Sequence, residues 1–324
     1  MKTGFVGLGN VGAKLAGSLL RNGVDLTVLD LEPALVQAMV DQGAKAGESP
    51  AAMMRDCDAV ITCLPSPAAS ADVMEGENGL LSAIGAGKIW MEMSTTDEAE
   101  AKRLGALVIA KGGAAVDCPV SGGCHRAATG NIAIFAGCDR DTFDRILPLL
   151  TKMGRRVLHT GELGSASVLK VLTNYLATAN LVTCSEALVT ARAAGMDLNT
   201  TFEAIRISSG NSFVHETESQ VILNGSRDIS FTMDLVKKDI GLFQEIAERA
   251  GVALEISPVL IDIFDDGIRR FGPRELSPNI IRRLEEATGL DIRAPGFPAE
   301  MADDEPEAPG YEVLPKQHPA PTSE

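Results

Sequence analysis

The run Gly4-Phe5-Val6-Gly7-Leu8-Gly9-Asn10-Val11-Gly12 constrains this chain more than any other part of it. A short apolar stretch, residues 4–8, leads into the pattern G-x-G-x-x-G, and a helical pattern over residues 11–22 follows, closed by Gly23. In a strand–turn–helix unit of this kind the first glycine permits the tight turn. The second lets the backbone approach a pyrophosphate, and the third lets helix and strand pack closely. The helix N-terminus then offers N–H groups and a partial positive charge to the phosphates. The next apolar run, residues 26–30, ends in Asp30, eighteen residues beyond Gly12. A carboxylate there accepts hydrogen bonds from adenosine ribose hydroxyls and repels a 2′-phosphate. No arginine follows it directly, since the next residues are Leu31 and Glu32. The expectation is a dinucleotide-binding unit that prefers NAD over NADP, contacted by Gly7, Leu8, Gly9, Asn10, Val11, Gly12 and Asp30. A glycine turn in a sheet that binds nothing is the alternative.

The remaining pattern extends that unit. Residues 33–42 read as a helix, and residues 59–64, 89–94, 115–120, 131–137 and 157–160 as further strands. Continuous apolar strands alternating with helices imply a mostly parallel sheet covered on both faces. The second half is purely helical: residues 164–194 form one long pattern without internal Gly or Pro, followed by residues 199–207, 234–250 and 258–270. The fold class is therefore α/β. An N-terminal Rossmann domain (residues 1–163) is followed by an all-α C-terminal domain (residues 164–293), and the long helix joins them with its first turns at the interdomain cleft. Residues 294–324 break both patterns with Pro295, Pro298, Pro306, Pro309, Pro315, Pro319, Pro321 and the acidic run Asp303-Asp304-Glu305. Such a tail cannot bury a core and is expected to be extended or disordered, or else to strap across a neighbouring subunit.

Charge and cysteine usage exclude several classes. A net charge of −15 repels phosphate backbones, so nucleic acid is not an expected partner. No uncharged apolar run is long enough to span a membrane. The N-terminus enters a strand directly, without a leader pattern, so a cytoplasmic location is expected. Cys57, Cys63, Cys118, Cys124, Cys138 and Cys184 form no Cys-x-x-Cys pair and have no His at ligand spacing. They read as reduced, buried thiols, and no metal is expected. Helical domains with an exposed apolar face often pair, so a homodimer or homotetramer is expected.

Three further segments bear on chemistry. The third and fourth strands end in Leu64-Pro65-Ser66 and Ser94-Thr95-Thr96. The carboxyl ends of parallel strands are where open α/β sheets bind ligands, although Ser and Thr there serve equally as helix caps. The fifth strand runs into Asp117-Cys118-Pro119-Val120-Ser121-Gly122-Gly123, where a hydroxyl and backbone N–H groups together could hold a carboxylate, or simply turn the chain. The long helix carries Lys170 and Asn174, four apart and on one face. A lysine among apolar neighbours has a lowered pKa and can exchange a proton near neutrality, but by spacing alone a solvated lysine is the ordinary reading.

Taken in order, these segments resemble the 3-hydroxyisobutyrate dehydrogenase (β-hydroxyacid dehydrogenase) family. The matching residues are Gly4 through Gly12, Cys63-Leu64-Pro65-Ser66, Met93-Ser94-Thr95, Asp117 through Gly123, Lys170-x-x-x-Asn174 and Lys238-Asp239. They span roughly residues 1–290. The resemblance implies hydride transfer between NAD and a short β-hydroxyacid or its semialdehyde, with Lys170 as general acid–base. It implies that Ser121, Gly122, Gly123 and Asn174 hold a small-molecule carboxylate substrate, and that Leu64, Pro65, Thr95 and Lys238 contact the cofactor. Lys237 is a rival to Lys238 on charge alone.

Some positions depart from the family pattern. Cys124-His125-Arg126 follows Gly123 where small or neutral residues are frequent, and Tyr175 stands where a second Asn is frequent. Residues 211–215, ending in His215, lie where a helical domain could close over a substrate. Arg126 or His215 is therefore expected to read a second polar or anionic group, unless both face solvent. Two other readings stand beside the dehydrogenase. An imine reductase-like enzyme shares the fold but usually replaces the lysine. A non-catalytic NAD-binding interaction module would also have lost it.

Overall fold

Strand–helix alternation begins at once in a computed structural model that describes residues 1–316: β1 (Thr3–Val6), α1 (Gly12–Arg21), β2 (Leu26–Leu29), α2 (Pro33–Val40) and β3 (Lys45–Ala46). It continues through α3 (Pro50–Asp56), β4 (Ala59–Thr62), α4 (Pro67–Glu75), β5 (Ile89–Glu92), α5 (Glu98–Ala110) and β6 (Ala114–Asp117). The first unit ends its alternation with β7 (Val120–Ser121), α6 (Gly123–Thr129), β8 (Ala133–Gly137), α7 (Arg140–Leu150) and β9 (Arg156–Gly161). Side-chain caps start many of these helices: Ser49, Ser66, Asp97 and Asp139 each accept a first-turn N–H, with proline following both serines.

The strand order β3-β2-β1-β4-β5-β6 is parallel throughout and reverses direction between β1 and β4. That reversal is a topological switch point, where open α/β sheets bind ligands at the strands' carboxyl ends. Strand β8 joins β6 antiparallel, and β9 pairs parallel with β8. Strands β1, β4 and β5 are buried along their whole length, as a sheet covered on both faces requires. One face packs Phe5, Leu15, Leu19, Val28, Ile61 and Met91, and the other packs Met53, Met54, Trp90, Leu104 and Val108.

The second unit is helical: α8 (Ser165–Ala193), α9 (Leu198–Arg206), α10 (Phe213–Asn224), α11 (Met233–Arg249), α12 (Ile256–Phe271) and α13 (Arg282–Thr288). Its core gathers Leu181, Leu188, Phe202, Ile222, Ile240 and Phe264. Helix α10 was not among the expected elements; its start is set by Ser212, whose hydroxyl accepts the His215 N–H at 3.0 Å.

The units divide at Ser167/Val168, four residues beyond the expected boundary, with residues 123–125 grouped in the second unit and residues from Glu305 onward in the first. The physical reason for the later division is Asp117. Fully buried at the end of β6, it accepts the Gly164 and Ser167 N–H groups at 2.7 Å each and so holds the first turn of α8 in the first unit.

The tail is extended and tied down over much of its length. Pro295 and Phe297 carbonyls accept from Asn199 and Asn224, and the Phe297 ring meets Phe202 edge-on at 5.0 Å, all within the second unit. In the first unit, Glu305 pairs with Arg156 at 3.0 Å, and β10 (Tyr311–Glu312) adds parallel to β9. An open strand edge offers unpaired backbone groups, and this segment supplies partners for them. The portion of the expected tail carrying Pro319 and Pro321 lies outside the described residues. Among the described residues no helix is long and apolar enough to cross a membrane, and no cluster of His, Cys, Asp or Glu could hold a metal ion.

Candidate active site

The glycine turn follows β1 at the switch point. Gly7 has φ +96°, and a Cβ there would lie 2.3 Å from the Cys63 carbonyl oxygen. A Cβ on Gly12 would lie 2.1 Å from the Gly7 carbonyl oxygen. The protein's own packing therefore demands the first and third glycines. A Cβ on Gly9, by contrast, would meet no atom within 4 Å. The open space over Gly9 is where a ligand backbone or phosphate can approach. Helix α1 begins beside it with no side-chain cap and no acidic residue in its first turn, which leaves the positive helix end directed at that space. The residues present fit a dinucleotide pyrophosphate.

Asp30 stands at the end of β2, as its spacing implied. Its two oxygens accept the Leu8 N–H at 2.6 Å and the Glu32 N–H at 2.9 Å. The acid thus cross-ties the glycine turn to the end of β2, a task the sequence did not disclose. A carboxylate oxygen that accepts one bond retains capacity for a ribose hydroxyl.

At the neighbouring strand ends, Ser66 caps α4 by accepting the Ala69 N–H at 3.2 Å, so its capping alternative is the one realised. Ser94 instead accepts the Leu64 N–H at 2.7 Å. Leu64 is partly exposed, Pro65 exposed and Thr95 half-buried, so all three present surface at the carboxyl end of the sheet.

Ser121 ends β7, whose antiparallel register with β8 sets Ser121 opposite Ala133. Gly122 and Gly123 follow with φ +128° and +87°, a left-handed pair that residues bearing a Cβ rarely adopt. The Arg126 stem runs close by: its Cδ would lie 3.3 Å from a Cβ on Gly122. His125, one residue earlier, stacks on Phe213 with ring centroids 6.3 Å apart.

Lys170 lies on α8 in the second unit and is buried, with only 8% of its surface exposed. Its Nζ donates to Asn174 Oδ1 at 2.7 Å. The Asn174 amide donates in turn to Asp239 Oδ2 at 2.5 Å, and Lys238 Nζ lies 3.2 Å from Asp239 Oδ1. Burial is the main cause that pushes the Lys170 ammonium down to about 8; Asp239 acts against it and Lys238 with it. The apolar side of this cluster is Val171, Leu172 and Tyr175 against Leu242 and Phe243, with Tyr175 stacked on Phe243 at 4.1 Å. Lys237 is elsewhere, in a 2.5 Å ion pair with Asp265, so the structure separates it from Lys238.

One expectation is overturned. His215 is fully buried, its Nε2 sits 2.9 Å from the Phe202 carbonyl oxygen, and its ring lies 4.6 Å from that of Phe202. It is a core residue of the helical unit and reads no substrate group; helix α10 turned it inward. Sequence reasoning in turn missed Asp239 as the hub of the lysine cluster, having assigned a role only to its neighbour Lys238. The available signal was an acid on an otherwise apolar helix face between Val236 and Ile240, both buried.

Sheet order, glycine turn and helix end together define a nicotinamide-dinucleotide-binding oxidoreductase domain, followed by a helical unit with a buried lysine. Comparison with known proteins carries this further. Residues 2–161 match the NAD binding domain of 6-phosphogluconate dehydrogenase, and residues 164–284 match the NAD-binding domain of NADP-dependent 3-hydroxyisobutyrate dehydrogenase. The 2-(hydroxymethyl)glutarate dehydrogenase of Eubacterium barkeri is 33% identical over 90% of this chain and 97% of its own. The 3-sulfolactaldehyde reductase of Escherichia coli is 30% identical over 89% and 97%. The structure of 3-hydroxyisobutyrate dehydrogenase from Mycobacterium tuberculosis with L-serine superposes with a TM-score of 0.79 at 25% identity, over 87% of this chain and 98% of that one. An imine reductase from Myxococcus stipitatus superposes at 0.60 with 15% identity, over 88% of this chain and 100% of that one, which shows the shared fold alone. The chain belongs to the 3-hydroxyisobutyrate dehydrogenase family of NAD(P)-dependent hydroxyacid dehydrogenases.

Proposed function

We propose that this protein interconverts a short β-hydroxyacid and its semialdehyde, with Lys170 as general acid–base and NAD preferred over NADP. The observation that carries the reading is the buried Lys170 ammonium, lowered to about 8 and hydrogen-bonded to Asn174. A group with that affinity for protons both takes and returns one near neutral pH. In oxidation, neutral Lys170 accepts the substrate hydroxyl proton as the carbonyl forms. In reduction, the ammonium returns it to the carbonyl oxygen. Bound nicotinamide supplies the two-electron acceptor or donor.

The proposal extends to the remaining roles. Gly7, Leu8, Gly9, Asn10, Val11 and Gly12 hold the pyrophosphate, and Asp30 receives the adenosine ribose, which favours NAD. Leu64, Pro65, Thr95 and Lys238 serve the nicotinamide end. Ser121, Gly122 and Gly123 offer a hydroxyl and two backbone N–H groups to the substrate carboxylate, and Asn174 orients the hydroxyl. Arg126, whose stem passes Gly122, is assigned to a second anionic group on the substrate. The substrate named for one relative, 2-(hydroxymethyl)glutarate, is a dicarboxylate and carries such a group. The helical unit exposes Leu176, Ile207 and Phe213, in keeping with a homodimer or homotetramer.

The test is a screen of short hydroxyacids and semialdehydes, with and without a second anionic group, with both nicotinamide cofactors, on wild type and Lys170→Ala. NAD-linked turnover that is lost in the variant while cofactor still binds supports the reading. Equal turnover by Lys170→Ala defeats the acid–base assignment.

A further inference from the structure

Glu92 ends β5 and is 1% exposed, an acid in a strand whose other residues, Ile89, Trp90 and Met91, are wholly buried hydrophobics. Leaving a carboxyl in such a place is costly unless its hydrogen bonds are made. Glu92 Oε1 accepts the Ser94 N–H at 2.9 Å, whereas its Oε2 and the nearby Ser70 hydroxyl make no hydrogen bond. Thr62 ends β4, and its own hydroxyl accepts the Trp90 indole N–H at 3.0 Å. Ser70 lies on α4, the helix that begins just past Leu64-Pro65-Ser66. The one bond this buried carboxyl makes is to the backbone of Ser94, just past the end of β5.

The chain of bonds continues outward. Ser94, held by Glu92, accepts the Leu64 N–H at 2.7 Å. Leu64 and Pro65 form the turn that lies against the glycine turn: a Cβ on Gly7 would stand 2.3 Å from the Cys63 carbonyl oxygen and 3.0 Å from Leu64 Cδ2. Both turns belong to the first unit and meet at the β1/β4 switch point. A turn has few backbone bonds of its own, so its position depends on the side chains that pin it.

We infer that Glu92 is a positioning residue for cofactor binding. Through Ser94 it fixes the Leu64-Pro65 turn that borders the dinucleotide site. Glu92 touches no cofactor itself. The inference rests on the assignment of Leu64 and Pro65 to the cofactor. A carboxyl serving only the core would stabilise the fold without altering affinity for the dinucleotide.

The test measures NADH binding by calorimetry, with kcat, cofactor KM and thermal stability, for wild type, Ser94→Ala, Glu92→Gln, Glu92→Leu and the double variant Glu92→Leu/Ser94→Ala. Ser94→Ala and Glu92→Leu are expected to weaken NADH binding about tenfold, and kcat at saturating cofactor is expected to hold within about threefold. Glu92→Gln keeps an acceptor for the Ser94 N–H and is expected to bind within about twofold of wild type. Because both residues act through one chain of bonds, the double variant should bind no more weakly than the worse single variant. Undiminished binding by Ser94→Ala, or losses that add in the double variant, would overturn the inference. Should Glu92→Leu fail to fold, Ser94→Ala and Glu92→Gln decide the matter alone. Wild type that binds neither nicotinamide cofactor would overturn the cofactor assignment together with the inference. Normal wild-type binding with unaffected variants overturns the inference only.

Discussion

Asn174 donates a 2.5 Å hydrogen bond to Asp239, and the same side chain accepts one from Lys170 at 2.7 Å. The asparagine is thus an insulated link: it couples the lysine to the carboxylate without placing the two in direct contact. A lysine paired directly with a carboxylate would be held fully charged, whereas Lys170 is lowered to about 8.

The activity should titrate with Lys170. Oxidation requires the neutral amine, so its rate is expected to rise with pH through about 8. Reduction requires the ammonium and is expected to fall over the same range. Initial rates in both directions across neutral and alkaline pH test this; two profiles of the same sense would remove Lys170 from the proton transfer. Lys170→Ala is expected to lose about 10²–10⁴-fold in kcat.

Asp239 and Lys238 should move that titration in opposite directions. Asp239 raises the lysine and Lys238 lowers it. Asp239→Asn is therefore expected to shift the pH profile to lower pH, and Lys238→Gln to shift it higher. The midpoint of the oxidation profile is the quantity to compare. Shifts of the same sign would show that the two residues act by packing rather than by charge.

Stability should bear the mark of the buried ammonium. The folded-state value, about 8, lies below the unaltered 10.5, so the unfolded chain binds more protons between those two values. The cost is fully present below about pH 8 and fades as pH rises toward that of a free lysine. A displacement of this size corresponds to ~3 kcal/mol. Lys170→Met removes the charge with little change in volume and is expected to raise Tm near neutral pH by several degrees, with the gain vanishing above about pH 10. Scanning calorimetry of the two proteins across pH would show it. A Tm lowered at neutral pH would mean that the bond to Asn174 outweighs desolvation.

Arg126 should discriminate between substrates. Arg126→Ala is expected to raise KM about tenfold for a substrate with a second anionic group, while a hydroxyacid lacking that group is little affected. Equal effects on both would place the arginine in the turn's structure and not in recognition.

Much of this was legible in the sequence because its causes are local. The glycine turn, the Ser66 cap that stood as an alternative, and the apolar runs of β1, β4 and β5 follow from steric and hydrogen-bonding rules over a few residues. Lys170 and Asn174 stand one helical turn apart wherever that helix lies. Tertiary structure alone decided which side chains from distant segments would meet. Asp239 joins Asn174 across 65 positions, the tail bonds Glu305 to Arg156 across 149, and His215 turns into the core where a substrate contact or solvent was expected. The physical reason is common to all three. Periodicity gives the direction of a side chain relative to its own helix or strand, whereas the partner it finds there depends on how separate elements pack.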